Sequence, residues 1–380
     1  MKRLFSSKFA NTCAVVLLAL LLSGTVVKTF YSAGVLEARL DTSDFQYSDV
    51  YNAIMYNENK CHVSKNVVLV DIHNCDNAQI FETLDSVEKY SPLAIGLDVI
   101  FRQHDTLPIG SRLAEYDNVV LGVDSTLLCP SDNYFTCLPE RNVGIVRADV
   151  EGLIDVVRTF RTFYTYDGVE YRGFPLEVVR VASPDKYSVF VNDKRVKEEN
   201  RATIYYQDVV FDIVSADTIL AGASELGESY LRNRIVLVGD LHDSQDLFLT
   251  PLSKTVEQGM RRGPMSGLGI LAYSVETVLN GPLVYYASKF TNWSVAVLVT
   301  LLLLLLCDFI NTHFPTAGSL LVRLAQICAL FVFLIIGCAC FRSGKFYIDF
   351  VPAMLMISIS SFSKDVWDGV VAIVKKGTKK

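Results

Sequence analysis

The sequence predicts an α/β extracytoplasmic domain with a mostly parallel central sheet, flanked by one N-terminal and three C-terminal transmembrane helices. Three observations lead to this fold class. The 380 residues are 51% hydrophobic, and the apolar excess is concentrated at the two ends of the chain. The middle has the composition of a water-soluble domain. In it, short apolar runs alternate with segments of helical spacing, as in α/β proteins.

The first apolar segment extends from Phe9 to Val27 and follows three basic residues at positions 2, 3 and 8. An apolar stretch of this length after a basic N-terminus is typical of a transmembrane signal anchor. We therefore assign residues 1–8 to the cytoplasm and residues 9–31 to the anchor. The alternative is a cleaved signal peptide with the apolar core Ala14–Leu22, but no small-x-small cleavage site follows it.

Residues 290–363 hold three further apolar segments, which are Trp293–Cys307, Leu320–Phe341 and Phe346–Phe362. A helix needs about 20 apolar residues to cross a bilayer, because its backbone polar groups must bond within the helix. The third segment is the weakest, since it contains Pro352 and several serines. Together with the anchor, these segments predict four spans and place both chain termini on the same side.

Basic residues agree with a cytoplasmic position for both termini, by the positive-inside rule. The exceptions are Arg342 and Lys345, which lie in a short predicted outer loop. The rule places residues 32–289 on the periplasmic or extracellular side of the cell inner (plasma) membrane. Residues 364–380 are predicted to be a short basic cytoplasmic tail. Its apolar residues have helical spacing, which favours an amphipathic helix on the membrane surface; a docking site for a cytoplasmic partner is the alternative.

Four apolar runs in the outer domain predict strands that are buried on both faces, as in a parallel sheet. These runs are Val67–Val70, Leu93–Leu97, Val119–Val123 and Ile235–Gly239. Between the first two, the segment Asn77–Tyr90 has the apolar spacing of a helix.

Three segments in the middle of the domain alternate more between apolar and polar residues, which predicts antiparallel strands at the edge of the sheet. They are Arg158–Tyr166, Tyr187–Val191 and Arg201–Tyr206. The dipeptide Asp167–Gly168 is a hairpin-turn signal.

An aspartate stands at the carboxyl end of each apolar run: Asp71, Asp98, Asp124 and Asp240. Ligands of open α/β sheets bind at this edge, so the carboxylates are predicted to meet in one crevice that attracts a cation, an amine or clustered hydroxyls. Asp246 follows the last strand closely and joins this set, with Arg158 as its candidate counter-ion. The alternative is that each aspartate caps the helix or turn that follows, and both can hold. If Arg158 instead neutralises an aspartate in a buried pair, its role is structural.

Two of these strand ends continue to a histidine, as Asp71-Ile72-His73 and Asp240-Leu241-His242. An Asp-x-His segment after a strand is how dinuclear metal sites of phosphoesterases begin. The sequence has no Gly-Asn-His segment to complete such a site. It also has no nucleophile elbow and no phosphate-binding loop. The net charge of −6 without clustered lysines and arginines argues against nucleic-acid binding.

The outer domain contains four cysteines, an even number that allows two disulfides in an oxidising compartment. Cys129 and Cys137 flank a turn-rich stretch, so we pair them with each other and Cys61 with Cys75. The alternative is four unpaired thiols.

The apolar strands with their terminal aspartates resemble the second class of CHASE domain over about residues 66–282. The matching segments are Val68–Ile72, Pro92–Phe101, Asn118–Gly122, Phe174–Arg180, Leu231–Gly239, Thr250–Leu252 and Met265–Gly267, with the single residues Asp149, Gly152, Arg158, Asp246 and Ala272. The resemblance implies an extracellular ligand-sensing module of bacterial membrane receptors. It also implies one span before the domain and usually three after it.

The resemblance makes a sensor for an unknown extracytoplasmic ligand the leading functional hypothesis. Only Ser363–Lys380 follows the last predicted span, so we expect no output domain and a separate membrane or cytoplasmic partner protein. One alternative is a structural or scaffold subunit of a cell-envelope complex, and the other is a metal-dependent hydrolase. We expect no enzyme activity and no cofactor. The lipid bilayer is a further partner, and a homo-oligomer stays open because the spans show no clear small-xxx-small face.

Overall fold

The structure is a computed structural model of the chain. It describes residues 8–32, 49, 61–101, 112–113, 115–124, 142–151, 156–206, 209–222, 227, 229–254, 256–257, 260–261, 263–280, 285–314, 316–344, 346–349 and 351–377. The chain forms two compact units. One comprises Ser48–Leu283, called the outer domain below, and the other comprises Met1–Tyr47 with Val284–Lys380, called the helical unit.

In chain order, the elements are α1 (Lys8–Ser32), β1 (His62–Asp71), α2 (Asn77–Glu88), β2 (Ala94–Asp98), β3 (Val119–Val123), β4 (Val143–Ile145), β5 (Asp149–Glu151), β6 (Val156–Arg161), β7 (Phe163–Tyr166), β8 (Val169–Arg172), α3 (Phe174–Ala182), α4 (Pro184–Asn192), α5 (Lys194–Glu199), β9 (Arg201–Thr203), β10 (Val209–Ser215), α6 (Ala216–Ala221), β11 (Ile235–Gly239), β12 (Leu247–Phe248), a 3₁₀ turn (Pro251–Lys254), β13 (Val256–Glu257), β14 (Met260–Arg261), β15 (Met265–Ser266), α7 (Gly267–Asn280), β16 (Tyr285–Tyr286), α8 (Lys289–His313), α9 (Gly318–Gly344), β17 (Phe346–Tyr347) and α10 (Val351–Gly377).

The outer domain is built on a six-stranded sheet in the order β10-β1-β11-β2-β3-β4. Every neighbouring pair in this sheet is parallel, which confirms the predicted mostly parallel sheet. Alternate residues of β1 face opposite layers. Val68 and Val70 pack with α2 and α6. Val67 and Leu69 pack with α3 and α7. The apolar runs are therefore continuous because both faces of the sheet are covered by helices.

Two parallel strands of this sheet were not predicted. They are β4, which has three residues, and the edge strand β10. The sequence of β10 carries Asp212, whose carboxylate pairs with Arg234, and the exposed Ile213. A half-exposed edge strand lacks the unbroken apolar run that marks the buried strands.

The middle of the outer domain differs from the prediction in two respects. The antiparallel strands form a small sheet of their own, β5-β6-β9, called the minor sheet below, instead of extending the edge of the main sheet. The segment Tyr187–Val191 lies in α4, a helix that begins at Pro184. Proline is favoured in the first turn of a helix, where no backbone donor is needed. The predicted hairpin turn between β7 and β8 is present, with positive φ of 50° at Asp167 and 79° at Gly168.

In the part of the helical unit that the structure describes, three helices are long and apolar enough to cross a membrane, over Phe9–Val26, Lys289–His313 and Leu320–Cys340. The prediction of a third C-terminal span over Phe346–Phe362 is wrong. Helix α10 begins only at Val351 and becomes polar at Lys364 and Asp365. The stretch Val351–Phe362 is only about 18 Å of helix, which is shorter than the roughly 30 Å apolar core of a bilayer.

The tail that was predicted as a separate amphipathic helix is the last part of α10, which continues to Gly377. Its apolar residues Val366, Val370, Ile373 and Val374 are exposed. Trp367, which belongs to the predicted apolar stripe, is instead partly buried against the core of the helical unit.

Polar contacts join the helices of this unit. The Asp308 carboxylate near the end of α8 accepts hydrogen bonds from Thr12 at the start of α1 and from the Lys364 ammonium of α10. The strands β16 and β17, which directly precede α8 and α10, pair in parallel. Helices α8 and α10 consequently run in the same direction, and α1 runs opposite to them.

Candidate functional site

A crevice of about 970 Å³ lies at the carboxyl ends of the parallel strands in the outer domain. Its lining comes from the ends of β2 and β3, the turns after β1 and β11, and the first two turns of α7. Residues of β4, β5 and β6, with Tyr164, complete the lining. The charged residues that line the crevice are Asp98, Asp124, Asp149, Asp240, Asp243, Asp246, Arg147 and Arg161. The strand-end carboxylates of β2, β3 and β11 thus share one opening, as the topology of an open parallel sheet requires.

Asp98 is the last residue of β2 and is half-buried in this crevice. Among the residues that the structure describes, its carboxylate has no hydrogen-bond or ion-pair partner. Burial raises the pKa of the Asp98 carboxyl to about 7, and the negative charge of Asp246 adds to the shift. An unpaired buried carboxylate is costly, and a cationic ligand group would relieve that cost.

Asp246 lies at the N-terminus of α7, where the backbone N–H of Gly267 donates to its carboxylate over 3.0 Å. Burial raises the pKa of Asp246 to about 6 against the effect of this hydrogen bond, and the charges of Asp243 and Asp240 contribute. A Cβ atom at position 267 would collide with the Asp246 carboxylate. The contact explains why glycine opens α7.

Asp71 does not line the crevice. Its carboxylate accepts the backbone N–H groups of His73 and Leu241 over 3.1 and 3.2 Å, and it pairs with the His242 ring over 3.2 Å. Asp240 lies at the crevice and is engaged in the same way, by the His73 ring at 3.0 Å and the His242 N–H at 2.7 Å. For these two aspartates the geometry agrees with the capping alternative, because their oxygens tie together the turns after β1 and β11.

The two Asp-x-His segments therefore cross-pair, each histidine contacting the carboxylate of the other segment. The two rings lie edge to face with their centroids 5.0 Å apart. Within the described parts of the chain, no group of three or more His, Cys, Asp or Glu side chains is arranged to hold a metal ion. The donors that suggested a metal-dependent hydrolase are thus directed at each other.

Arg158 is not the counter-ion of the crevice carboxylates, which corrects the prediction. Its guanidinium binds the Asp49 carboxylate through Nε at 3.1 Å and Nη2 at 2.7 Å. The two side chains are only 2% and 1% exposed, so this is a fully buried pair. Strand alternation explains the change: Val157 and Thr159 face the crevice, and Arg158 between them faces away.

Two arginines that the sequence interpretation missed supply positive charge to the crevice. Arg147 follows β4, and Arg161 ends β6 with its guanidinium 5.6 Å from the centre of the Tyr164 ring. The sequence carries a signal for Arg147, which comes two residues after the short apolar strand β4.

The predicted disulfide between Cys61 and Cys75 is not formed. Cys61 directly precedes β1 and Cys75 lies beyond its other end. A ten-residue strand separates its ends by roughly 30 Å, whereas the two Cα atoms of a disulfide lie within about 7 Å. Cys129 and Cys137 lie outside the described residues.

Comparison with known proteins gives one match. A family model described as the CHASE2 domain matches residues 18–307, which is more than half of the chain and confirms the resemblance derived from the sequence. No curated protein and no solved structure matches the chain.

Proposed function

This chain belongs to the CHASE2 family of extracellular sensory domains, and we propose that it is a membrane-anchored receptor whose ligand binds in the acidic crevice of the outer domain. Three helices able to cross a membrane accompany that domain, as a membrane sensor requires. In this proposal the crevice serves binding and not catalysis.

The observation that carries the proposal is the half-buried Asp98 carboxylate, which faces a crevice large enough for a small molecule. Pockets of 300–1,000 Å³ are typical of small-ligand sites. A carboxylate at such a place gains little stability from the fold, because nothing in the described structure pairs with it. A ligand that supplies a positive charge or hydrogen-bond donors to the Asp98 carboxylate would account for its position in the crevice.

The charges of the crevice also restrict the ligand. Asp98 and Asp246 line the crevice close enough for their charges to interact, and together they suit an ammonium group, a cation or clustered hydroxyls. Arg147 and Arg161, which also line the crevice, suit a carboxylate or another anionic group. We therefore expect a small polar ligand whose cationic end lies against Asp98.

We place the outer domain on the periplasmic or extracellular side and the chain in the inner membrane as a multi-pass protein. The basic N-terminus before α1 supports this sidedness. A reporter inserted in the exposed hairpin turn at Asp167–Gly168 tests it. Alkaline phosphatase should be active at this position and a fluorescent protein dark, and the reverse result would place the domain in the cytoplasm.

Two contacts hold residues near the two ends of the outer domain to its core. Arg158 of β6 holds Asp49, which lies between α1 and β1 in the chain. The Glu276 carboxylate of α7, 6% exposed, accepts hydrogen bonds from Asn66 at 3.3 Å and from Asn280 at 3.0 Å. Asn66 lies in β1, the first strand of the domain, and Asn280 ends α7, its last helix. A separate membrane or cytoplasmic protein would receive the signal, and co-purification from membranes tests for it.

The ligand proposal is tested with the full chain purified in mild detergent. Native mass spectrometry identifies small molecules that remain bound, and thermal shifts are then measured with Ca²⁺, spermidine and lysine as probes. Asp98→Asn should abolish the retained ligand and the largest of these shifts. The matched control is Asp185→Asn, an exposed carboxylate of α4 outside the crevice. If both variants retain every bound molecule and every shift of the wild type, the crevice is not the binding site.

A further inference from the structure

A second cavity lies in the helical unit, between α9 and α10. It is a groove of about 280 Å³ lined by Arg323, Gln326, Ile327, Leu330, Ile357 and Ser358. Its walls are apolar along Ile327, Leu330 and Ile357, and Arg323 stands at one end. The groove therefore has apolar sides and one positively charged side chain, that of Arg323.

The groove has a defined geometry because polar contacts hold its two helices together. The Gln326 side-chain amide donates to the Ser360 hydroxyl over 3.2 Å and to the Ser361 hydroxyl over 2.7 Å. Interhelical contacts of this kind fix the spacing of membrane helices. These contacts hold α9 and α10 together beside the groove.

Arg323 is exposed and has no hydrogen-bond or ion-pair partner among the described residues. It lies three residues from the start of the apolar span Leu320–Cys340, so the guanidinium reaches the level of the lipid headgroups. A cation in that position, without an internal partner, attracts an anion from its surroundings. Basic pockets between membrane helices commonly bind anionic headgroups.

We propose that this groove holds one anionic phospholipid, with the phosphate against Arg323 and an acyl chain along Ile327, Leu330 and Ile357. Arginine suits this role because its planar guanidinium can donate two parallel hydrogen bonds to one phosphate. The site requires that α9 crosses the bilayer and that the first turns of α10, which carry Ile357, lie beside it in the apolar layer; it does not require α10 to span, and it is independent of the crevice ligand. A bound lipid would contact both α9 and α10 and would stabilise their spacing.

The test uses the full chain in nanodiscs of phosphatidylcholine with a minor share of phosphatidylglycerol. After release into the gas phase, native mass spectrometry counts the lipids retained by the protein. The wild type should retain phosphatidylglycerol in preference to phosphatidylcholine. Arg323→Gln should lower that preference about fivefold, which corresponds to about 1 kcal/mol for one basic residue at a membrane surface. Arg323→Lys should keep most of it.

Two further variants separate the site from general charge. Lys289→Gln removes an exposed cation at the start of α8, outside the groove, and should leave the preference unchanged. Ser358→Phe fills the groove without altering its charge and should lower retention as Arg323→Gln does. Circular dichroism of each variant checks that the helices remain folded.

The proposal is overturned if Arg323→Gln and Lys289→Gln behave alike, or if the wild type retains both lipids equally. It is also overturned if inorganic phosphate alone displaces the bound species, or if cross-linking through the groove captures a second copy of the chain in place of lipid. None of these outcomes changes the crevice measurements with Asp98→Asn, so the two proposals fail separately.

Discussion

The buried pair of Arg158 and Asp49 gives the sharpest prediction. Replacing Arg158 by Met keeps an unbranched side chain that can stay in the core, but it removes the guanidinium and leaves the Asp49 carboxylate buried without this partner. The pair is bidentate, and its side chains are 2% and 1% exposed, so solvent cannot compensate. Breaking such a pair from one side costs about 3–5 kcal/mol, a large part of the 5–15 kcal/mol stability of a typical domain. For a domain of this size, the melting temperature should fall by roughly 10 °C.

The assay is thermal unfolding of the full chain in detergent, followed by circular dichroism, with hydrogen exchange of β6 peptides as a local readout. Arg161→Met is the matched control, since Arg161 is an exposed arginine of the same strand. The double variant Asp49→Leu/Arg158→Met should recover most of the loss, because well-packed apolar residues can replace a buried ion pair without cost. An Arg158→Met protein that melts with the wild type would refute this reasoning. So would a double variant no more stable than the single one.

Two further predictions concern the crevice. The pKa of Asp98 is raised to about 7 in the folded state and is about 3.9 in an unfolded chain, so the folded protein holds more protons between these values. The melting temperature should therefore decrease as pH rises from about 4 to about 7, more for the wild type than for Asp98→Asn; identical pH profiles would exclude this titration. Gly267→Ala should cost about 1–3 kcal/mol, because the new methyl group collides with the Asp246 carboxylate. Gly263→Ala, which meets no atom within 4 Å, is the control, and equal melting temperatures for the two variants would contradict the clash.

Much of the main sheet could be predicted because its central strands are buried on both faces. The β-branched runs around Leu69, Val120 and Leu237 carry this burial in the sequence itself. The edge strand β10 escaped prediction because one side is open to solvent and its composition is mixed. The segment Tyr187–Val191 alternates like a strand, but Pro184 and packing by Phe190 favour a helix.

The candidate site was predictable in part, for a related reason. Parallel strands bring their carboxyl ends to one edge, so the strand-end aspartates had to be neighbours. Which of these aspartates face the crevice depends on the hydrogen bonds of the turns that follow the strands. The pairing of Asp71 with His242 is one of them, and the spacing of apolar residues in the sequence does not reveal it. The partner of Arg158 lies 109 residues away, and a pairing over that distance leaves no local pattern. The distance between Cys61 and Cys75, in contrast, follows from the length of one strand and could have been foreseen.

Two contacts of the outer domain, Arg158 with Asp49 and Glu276 with Asn66, indicate how ligand binding could move the start of the domain. A ligand shifts a protein between two states only by the difference in its affinity for them, commonly 1–3 kcal/mol. The crevice lies between the main sheet, whose central strands are buried on both faces, and the minor sheet. A ligand that bridges Asp98 and Arg161 would draw β6 towards β2, and Arg158 would carry Asp49 with it. Asn66 of β1 is bound to Glu276 of α7 and would not move with β6. The distance between Asp49 and Asn66 would therefore change. These two residues lie at the start of the outer domain, on the segment of the chain between α1 and the core of the main sheet.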